Sequence, residues 1–227
     1  MSHRSTSSSP TDRPVGLVVL ETGAEMRTTG RSTTSVVCVN GGQAGPVPGT
    51  WSASLEWLVR TIAPLCPTVS FSEVRYRVKS WRALDLCEED TRAAVAETRA
   101  ERTLLLGFSM GGAVAVRTVD APGVEGVLGL APWLPDQLEL DALRGKRLDV
   151  LHGSLDRPLP GIPGVSPSSS RRGFERARRV GAHGSYRLIP GAFHGIALRA
   201  RTGLVPLPRA RSWASLVAAT IGEWAAA

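Results

Sequence analysis

Short apolar runs alternate with stretches of helical periodicity along most of this chain. The apolar runs predict buried strands, and the stretches between them repeat apolar residues three and four positions apart, as amphipathic helices do. The predicted strands are Thr34–Val39, Thr68–Arg77, Thr103–Phe108 and Val124–Leu130, followed by two that begin near Leu148 and Ser185. The predicted helices are Trp51–Ile62, Cys87–Arg99, Leu138–Leu143, Arg171–Val180 and Ser212–Trp224. This alternation predicts an α/β protein with a mostly parallel central sheet and helices on both faces.

The two ends of the predicted domain differ in character. Residues 1–14 are rich in Ser, Thr and Pro and lack the apolar segment of a secretory signal, so we expect a disordered tail. Val15–Leu20 predicts an early strand in an antiparallel hairpin near the sheet edge. Residues 15–227 are therefore expected to form a single domain.

Composition narrows the class of protein. Of 227 residues, 42% are hydrophobic and 21% are charged, as in ordinary soluble domains. No apolar stretch is long enough for a transmembrane helix, so we expect no membrane association. Cys38, Cys66 and Cys87 lie in apolar surroundings without metal-ligand spacing. Buried thiols and a cytoplasmic location are therefore expected.

The formal net charge is +7, and it comes almost entirely from arginine. A helix whose apolar side holds Phe174, Ala177 and Val180 explains the densest basic cluster better than an acidic partner does. The one aromatic residue within this cluster, Phe174, lies on the apolar side, so the aromatic–basic interleaving of nucleic-acid binding is absent and we expect no nucleic-acid partner. Its members are Arg171, Arg172, Arg176, Arg178 and Arg179.

The strongest chemical signal is a G-x-S-x-G pentapeptide formed by Gly107, Ser109 and Gly111. An apolar strand precedes it, and a run of small apolar residues with helical character follows it. Such a strand-turn-helix exposes a serine hydroxyl on a strained turn, where side chains two residues away would strike their neighbours. The alternative, an ordinary glycine-rich turn, does not explain this context.

The pentapeptide and its context resemble the α/β-hydrolase superfamily, and the resemblance covers about residues 33–224. Members of that family carry a nucleophile, an acid and a base in the order Ser, Asp, His. Asp156 follows the strand that begins near Leu148, and His194 lies in the loop after the next strand. The resemblance thus implies that Ser109 is the nucleophile, His194 the general base and Asp156 the residue that orients it.

Rival residues for these roles remain open. Asp136, which follows the strand ending near Trp133, is the alternative acid. His3 lies in the tail, His152 is mid-strand and His183 precedes its strand, so each is a weaker candidate for the base.

The resemblance also implies an oxyanion hole and a pocket. The backbone N–H groups of Met110 and Gly42 are the expected oxyanion donors, with Gln43 as the alternative to Gly42. The candidate pocket walls, each equally well explained as core, are Trp51, Trp133 and Phe193.

A cap domain is not expected. Only about sixteen residues, 131–146, separate two strands between which family members often insert a lid. The chain therefore resembles small single-domain esterases and dienelactone-hydrolase-like proteins.

The expected activity is hydrolysis of an ester, thioester or related acyl bond of a small molecule. One alternative is an acyltransferase that uses the same triad of Ser109, Asp156 and His194. The other is a catalytically inactive binding protein with this fold. No metal-ligand cluster or phosphate-binding loop occurs, so no metal or cofactor is expected.

Overall fold

A computed structural model describes residues 16–157 and 164–227 of the chain. The sequence also predicts an exposed, proline-rich loop at Arg157–Ser170. The predicted tail and the middle of this proline-rich loop lie outside the described residues. The strands are β1 Gly16–Val19, β2 Glu25–Thr29, β3 Thr34–Val39, β4 Val47–Pro48, β5 Ser70–Arg75, β6 Val78–Lys79, β7 Arg102–Phe108, β8 Val124–Leu130, β9 Arg147–Gly153, β10 Tyr186–Ile189, β11 Ala197–Ala200 and β12 Gly203–Pro206. The helices are α1 Ala53–Ile62, α2 Leu84–Thr98, α3 Met110–Thr118, α4 Pro167–Arg179 and α5 Ala210–Ala225.

Eight strands form the central sheet in the order β1-β2-β5-β3-β7-β8-β9-β10. The last six strands in this order, β5-β3-β7-β8-β9-β10, are parallel to one another. Strands β1 and β2 form an antiparallel hairpin at one edge, and β2 is antiparallel to β5. This arrangement confirms the predicted α/β class, the mostly parallel sheet and the hairpin at its edge. The carboxyl ends of the parallel strands all reach the same edge of the sheet, where such folds bind ligands.

Alternate residues of each central strand enter two different cores. On β3, Val37 and Val39 belong to the core covered by α2, α3 and α4, whereas Val36 and Cys38 belong to the core covered by α1 and α5. This is the period-two pattern of a strand that is buried on both faces. It explains why the central strands are nearly continuous apolar runs.

The structure of two segments differs from the sequence-based prediction. The predicted helix Leu138–Leu143 contains only a short 3-10 turn at Asp141–Leu143. The proline-rich loop, expected to be exposed up to Ser170, gives way to α4 four residues earlier than predicted. Pro167 occupies the first turn of α4, the Ser166 hydroxyl accepts the Ser169 N–H, and Ser170 is buried. A capping serine followed by proline is a helix-start signal.

Other expectations are confirmed. The connection between β8 and β9 contains no cap domain. All three cysteines are buried free thiols. Phe174 and Ala177 of α4 face the core, while Arg176 donates to the carbonyl oxygens of Pro135 and Leu138. Within the described ranges, no helix has both the length and the apolar character needed to cross a bilayer.

Candidate active site

Ser109 occupies a sharp turn between β7 and α3. Its φ of 55° and ψ of −120° lie in a region that residues other than glycine rarely adopt. The turn is held because the Ser109 N–H donates to Leu130 at 3.0 Å, and the Ser109 carbonyl accepts from Gly112 at 2.9 Å and Trp133 at 2.8 Å. The side chain therefore stands at the carboxyl edge of the sheet, half-exposed.

Glycine is required on both sides of Ser109. A Cβ on Gly107 would lie 2.5 Å from the carbonyl oxygen of Gly111, and a Cβ on Gly111 would strike the carbonyl oxygen of Val39. Both obstacles are backbone atoms and cannot rotate away. The spacing of the pentapeptide is thus a direct consequence of how tightly α3 meets β7 and β3.

Asp156 and His194 meet at the same edge. His194 Nδ1 lies 2.7 Å from Asp156 Oδ2, although the two residues are 38 positions apart in the chain. The Asp156 side chain is completely buried, and that of His194 is 12% exposed. The imidazole lies beside the residue before Ser109, with a distance of 5.2 Å between its centroid and that of the Phe108 ring.

The hydrogen bond that the Ser109 hydroxyl would donate to His194 is not formed in this structure. Among the described residues, no hydrogen bond joins Ser109 Oγ to His194. Catalytic hydrogen bonds of this kind often tighten only when substrate is bound. The pair of Asp156 and His194 is therefore preassembled, whereas the contact between His194 and Ser109 is open.

The surroundings of Asp156 favour its ionised form. Burial raises the pKa of this carboxyl, but the hydrogen bonds from His152 and His194 outweigh burial, and the net pKa lies below its ordinary value. Asp136 differs in every respect. Its side chain is 79% exposed and faces Arg176 at 3.8 Å, so the geometry favours Asp156 as the partner of His194.

The expected oxyanion donors lie on two neighbouring turns. The Met110 N–H begins α3, and the glycine turn after β3 passes close to Ser109, since a Cβ on Gly41 would lie 3.4 Å from Ser109 Cβ. Within the described part of the chain, neither the Met110 nor the Gly42 N–H donates to another backbone group. Neither N–H group is therefore held by a backbone acceptor.

A cavity of about 370 Å³ adjoins Ser109. Its walls include Trp81, Trp133, Gly164 and Val165, and the two indole rings lie 6.5 Å apart. Trp81 was missed by the sequence analysis, because it follows the two-residue strand β6 and belongs to no periodic pattern. It also packs over Gly42, where a Cβ would lie 2.6 Å from Trp81 Nε1.

The other two candidate walls lie elsewhere. The ring of Trp51 packs against guanidinium groups, 4.4 Å from Arg27 and 5.7 Å from Arg75, and is not among the residues that line the cavity. Phe193 is 37% exposed next to His194. Of the three, only Trp133 lines the space beside Ser109.

The three cysteines are poor rivals to Ser109 as a nucleophile. Burial raises the pKa of the Cys87 thiol to about 11, and it raises the pKa values of Cys38 and Cys66 as well. Such thiols stay protonated and unreactive at neutral pH. In residues 16–157 and 164–227, no group of three or more His, Cys, Asp or Glu side chains is placed to hold a metal ion.

Comparison with solved structures decides the fold. A sugar hydrolase from Lactococcus lactis superposes with a TM-score of 0.67 at 16% identity, covering 92% of this chain and 97% of that one. The chain has the α/β-hydrolase fold. An esterase from Pyrococcus furiosus gives a TM-score of 0.63 at 13% identity, covering 98% of this chain and 94% of that one.

A lidless version of the α/β-hydrolase fold is also among the similar structures. It is an α/β serine hydrolase without a lid from Xanthomonas campestris, with a TM-score of 0.57 at 14% identity over 82% of this chain and 87% of that one. No family model matches the sequence, and no curated protein matches it either. At these identities the likeness establishes the fold, and the chemistry must be argued from the site.

Proposed function

We propose that this protein is a serine hydrolase that cleaves an ester, thioester or related acyl bond of a small molecule through an acyl-enzyme intermediate. The observation that carries the proposal is the 2.7 Å hydrogen bond between His194 Nδ1 and the buried Asp156. It lies at the same sheet edge as the strained Ser109 turn. A buried carboxylate–imidazole pair beside an exposed serine is the arrangement that activates a hydroxyl nucleophile.

In the proposed reaction, the bond to Asp156 keeps the proton on His194 Nδ1 and leaves the lone pair of Nε2 for Ser109. Nε2 takes the hydroxyl proton as Ser109 Oγ attacks the acyl carbon. The N–H groups of Met110 and Gly42 stabilise the resulting oxyanion. The tetrahedral adduct then expels the alcohol or thiol, which takes its proton from His194. Water repeats the sequence on the acyl-enzyme and regenerates Ser109.

The shape of the site limits the substrate. A cavity of about 370 Å³ lies near the lower end of the range for small-molecule pockets, and the connection between β8 and β9 supplies no cap domain above it. Each buried methylene contributes about 0.8 kcal/mol to binding, whereas one left in water contributes little. Short or medium acyl groups are therefore the proposed substrates. The open site also makes water the ready acceptor, which favours hydrolysis over acyl transfer.

A series of p-nitrophenyl esters, from acetate to long-chain acyl groups, tests this proposal. We expect kcat/KM to be highest for short or medium chains, with no jump in rate above the solubility limit of the substrate. A steady rise through long-chain esters would show that a groove or mobile loop takes the place of a lid.

The matched control for the same assay is Ser109→Ala. The variant should fold normally and lose nearly all activity, since only binding and the oxyanion donors remain. Activity within about tenfold of the parent would refute the proposed nucleophile.

A further inference from the structure

A buried chain of polar side chains leads from Asp156 to residues that the proposed reaction does not use. His152, at the end of β9, is completely buried. Its Nε2 lies 2.9 Å from Asp156 Oδ2, and its Nδ1 lies 2.6 Å from the hydroxyl of Ser170 on α4. The Ser170 hydroxyl in turn lies 2.9 Å from that of Tyr186 on β10.

The partners of His152 fix which nitrogen carries a proton. Nε2 faces the carboxylate of Asp156 and, also at 2.9 Å, the carbonyl oxygen of Val165. A carbonyl oxygen and an ionised carboxylate can only accept, so Nε2 must be the donor. The Ser170 hydroxyl holds the opposite nitrogen, and the Tyr186 ring stacks on the imidazole at 6.5 Å with an interplanar angle of 18°. The ring therefore has no freedom to turn away from Asp156.

The Asp156 carboxylate is thus held by three donors. Oδ2 accepts from both imidazoles, at 2.9 Å from His152 and 2.7 Å from His194, and Oδ1 accepts the Val165 N–H at 3.2 Å. Two of these three bonds involve no part of the proposed reaction. They set the direction in which Oδ2 faces His194, and that direction decides where Nε2 of His194 points.

We infer that His152 is a positioning residue of the active site, which orients Asp156 through an Nε2–H donor that Ser170 and Tyr186 hold in place. The inference rests on the proposed function, because its effect is exerted on the pair of Asp156 and His194. It assigns a role to a buried histidine that the three-residue triad does not use. Hydrogen bonds to a charged group are among the stronger ones, so loss of this donor is expected to slow activation of Ser109 about tenfold to a hundredfold.

The rate at which a fluorophosphonate probe modifies Ser109 measures this role without a known substrate. The final extent of labelling measures the fraction of protein molecules with a folded active site. The rate constant of labelling measures how well His194 and Asp156 activate the serine. His152→Leu removes the donor, and His152→Gln replaces Nε2–H with an amide N–H at similar reach. His183→Leu, at an exposed position, is the matched control.

We expect parent, His152→Gln and His183→Leu to react at rates within about threefold of one another. His152→Leu should react about tenfold to a hundredfold more slowly, yet reach the same extent of labelling. A purely structural role would lower the extent and leave the rate constant unchanged. An unchanged rate in His152→Leu, or a rate in His152→Gln as slow as in His152→Leu, would overturn the inference. Failure of the parent to react at all would count against the proposed function instead.

Nitrogen NMR of the parent, labelled at its four histidines, tests the same inference when His152→Leu does not fold. The histidine variants assign the ring signals. The expected result is an Nε2 of His152 that is protonated in the resting protein, while the neutral His194 carries its proton on Nδ1. An unprotonated Nε2 on His152 would contradict the donor role, whatever the activity of the enzyme.

Discussion

The two halves of the candidate active site are built in opposite ways. The nucleophile half is a backbone construction in which Ser109 sits at a φ of 55° between glycines with no room for a Cβ. The acid–base half depends on side chains: the buried carboxylate of Asp156 accepts hydrogen bonds from His152, His194 and the Val165 backbone. The first depends on five consecutive residues whose backbone is confined by close contacts and backbone hydrogen bonds. The second is fixed by polar contacts between segments far apart in the chain.

This difference predicts different kinds of failure. A steric fault at the nucleophile turn displaces backbone of β3 and α3, which belong to the core, so it should cost stability as well as activity. A change of one atom in the acid–base half can leave the packing intact and disturb only proton transfer. Substitutions that separate stability from rate therefore test the comparison.

Within the acid–base half, the largest effect on rate is expected at Asp156. Asp156→Asn keeps the shape but cannot hold the proton on His194 Nδ1, so kcat should fall about 10³- to 10⁴-fold. The exposed Asp136→Asn should stay within about twofold of the parent, because surface substitutions away from the site have small effects. Steady-state kinetics on an ester substrate measure both variants. If Asp136→Asn were the inactive one, the acid would belong to the loop after β8.

A large effect on stability is expected at Gly111. Gly111→Ala places a methyl group against the carbonyl oxygen of Val39, and it should lower the free energy of unfolding by at least about 2 kcal/mol. The control is Gly222→Ala in α5, where a Cβ meets no atom within 4 Å. Alanine there should be neutral or stabilising by up to about 1 kcal/mol. Denaturant unfolding compares them, and equal stabilities would show that the turn is not sterically fixed.

The smallest effect concerns acid stability. The pKa of Asp156 is lowered in the folded protein, so the folded state binds this proton less readily than the unfolded chain. Its stabilising contribution is therefore complete above the ordinary aspartate pKa of about 3.9 and is lost as the pH falls through the lowered value.

The test is the difference in unfolding free energy between the parent and Asp156→Asn, measured from about pH 5 down to about pH 2. This difference should narrow as the pH falls. A difference that widened towards acid would mean that the pKa of Asp156 is raised in the folded state.

The same contrast explains what could be predicted from the sequence. The strand, the glycines and Ser109 are consecutive, so their pattern predicts the turn directly. The alternation of apolar strands and helices likewise predicts the sheet, because each central strand is buried on both faces. The hairpin β11–β12 was missed, since it lies outside the central sheet and three of the four residues of β11 are exposed.

The acid–base half could be predicted only in part. The order of Ser109, Asp156 and His194 in the chain indicated the candidates for nucleophile, acid and base. No local sequence pattern, however, predicts that His152 contacts Asp156. That contact depends on β9 pairing with β10 and on α4 bringing Ser170 against them. One signal was present, because a histidine within a buried strand requires a hydrogen-bond partner. The polar residue four positions later in the chain is that partner.

The most direct test of the account is the site at which a fluorophosphonate reacts. The parent protein is treated with the probe, digested and mapped by mass spectrometry, with Ser109→Ala as the control. The account predicts a single adduct on the peptide that contains Ser109 and no adduct in Ser109→Ala. An unreactive parent, an adduct on another residue, or equal labelling of Ser109→Ala would contradict it.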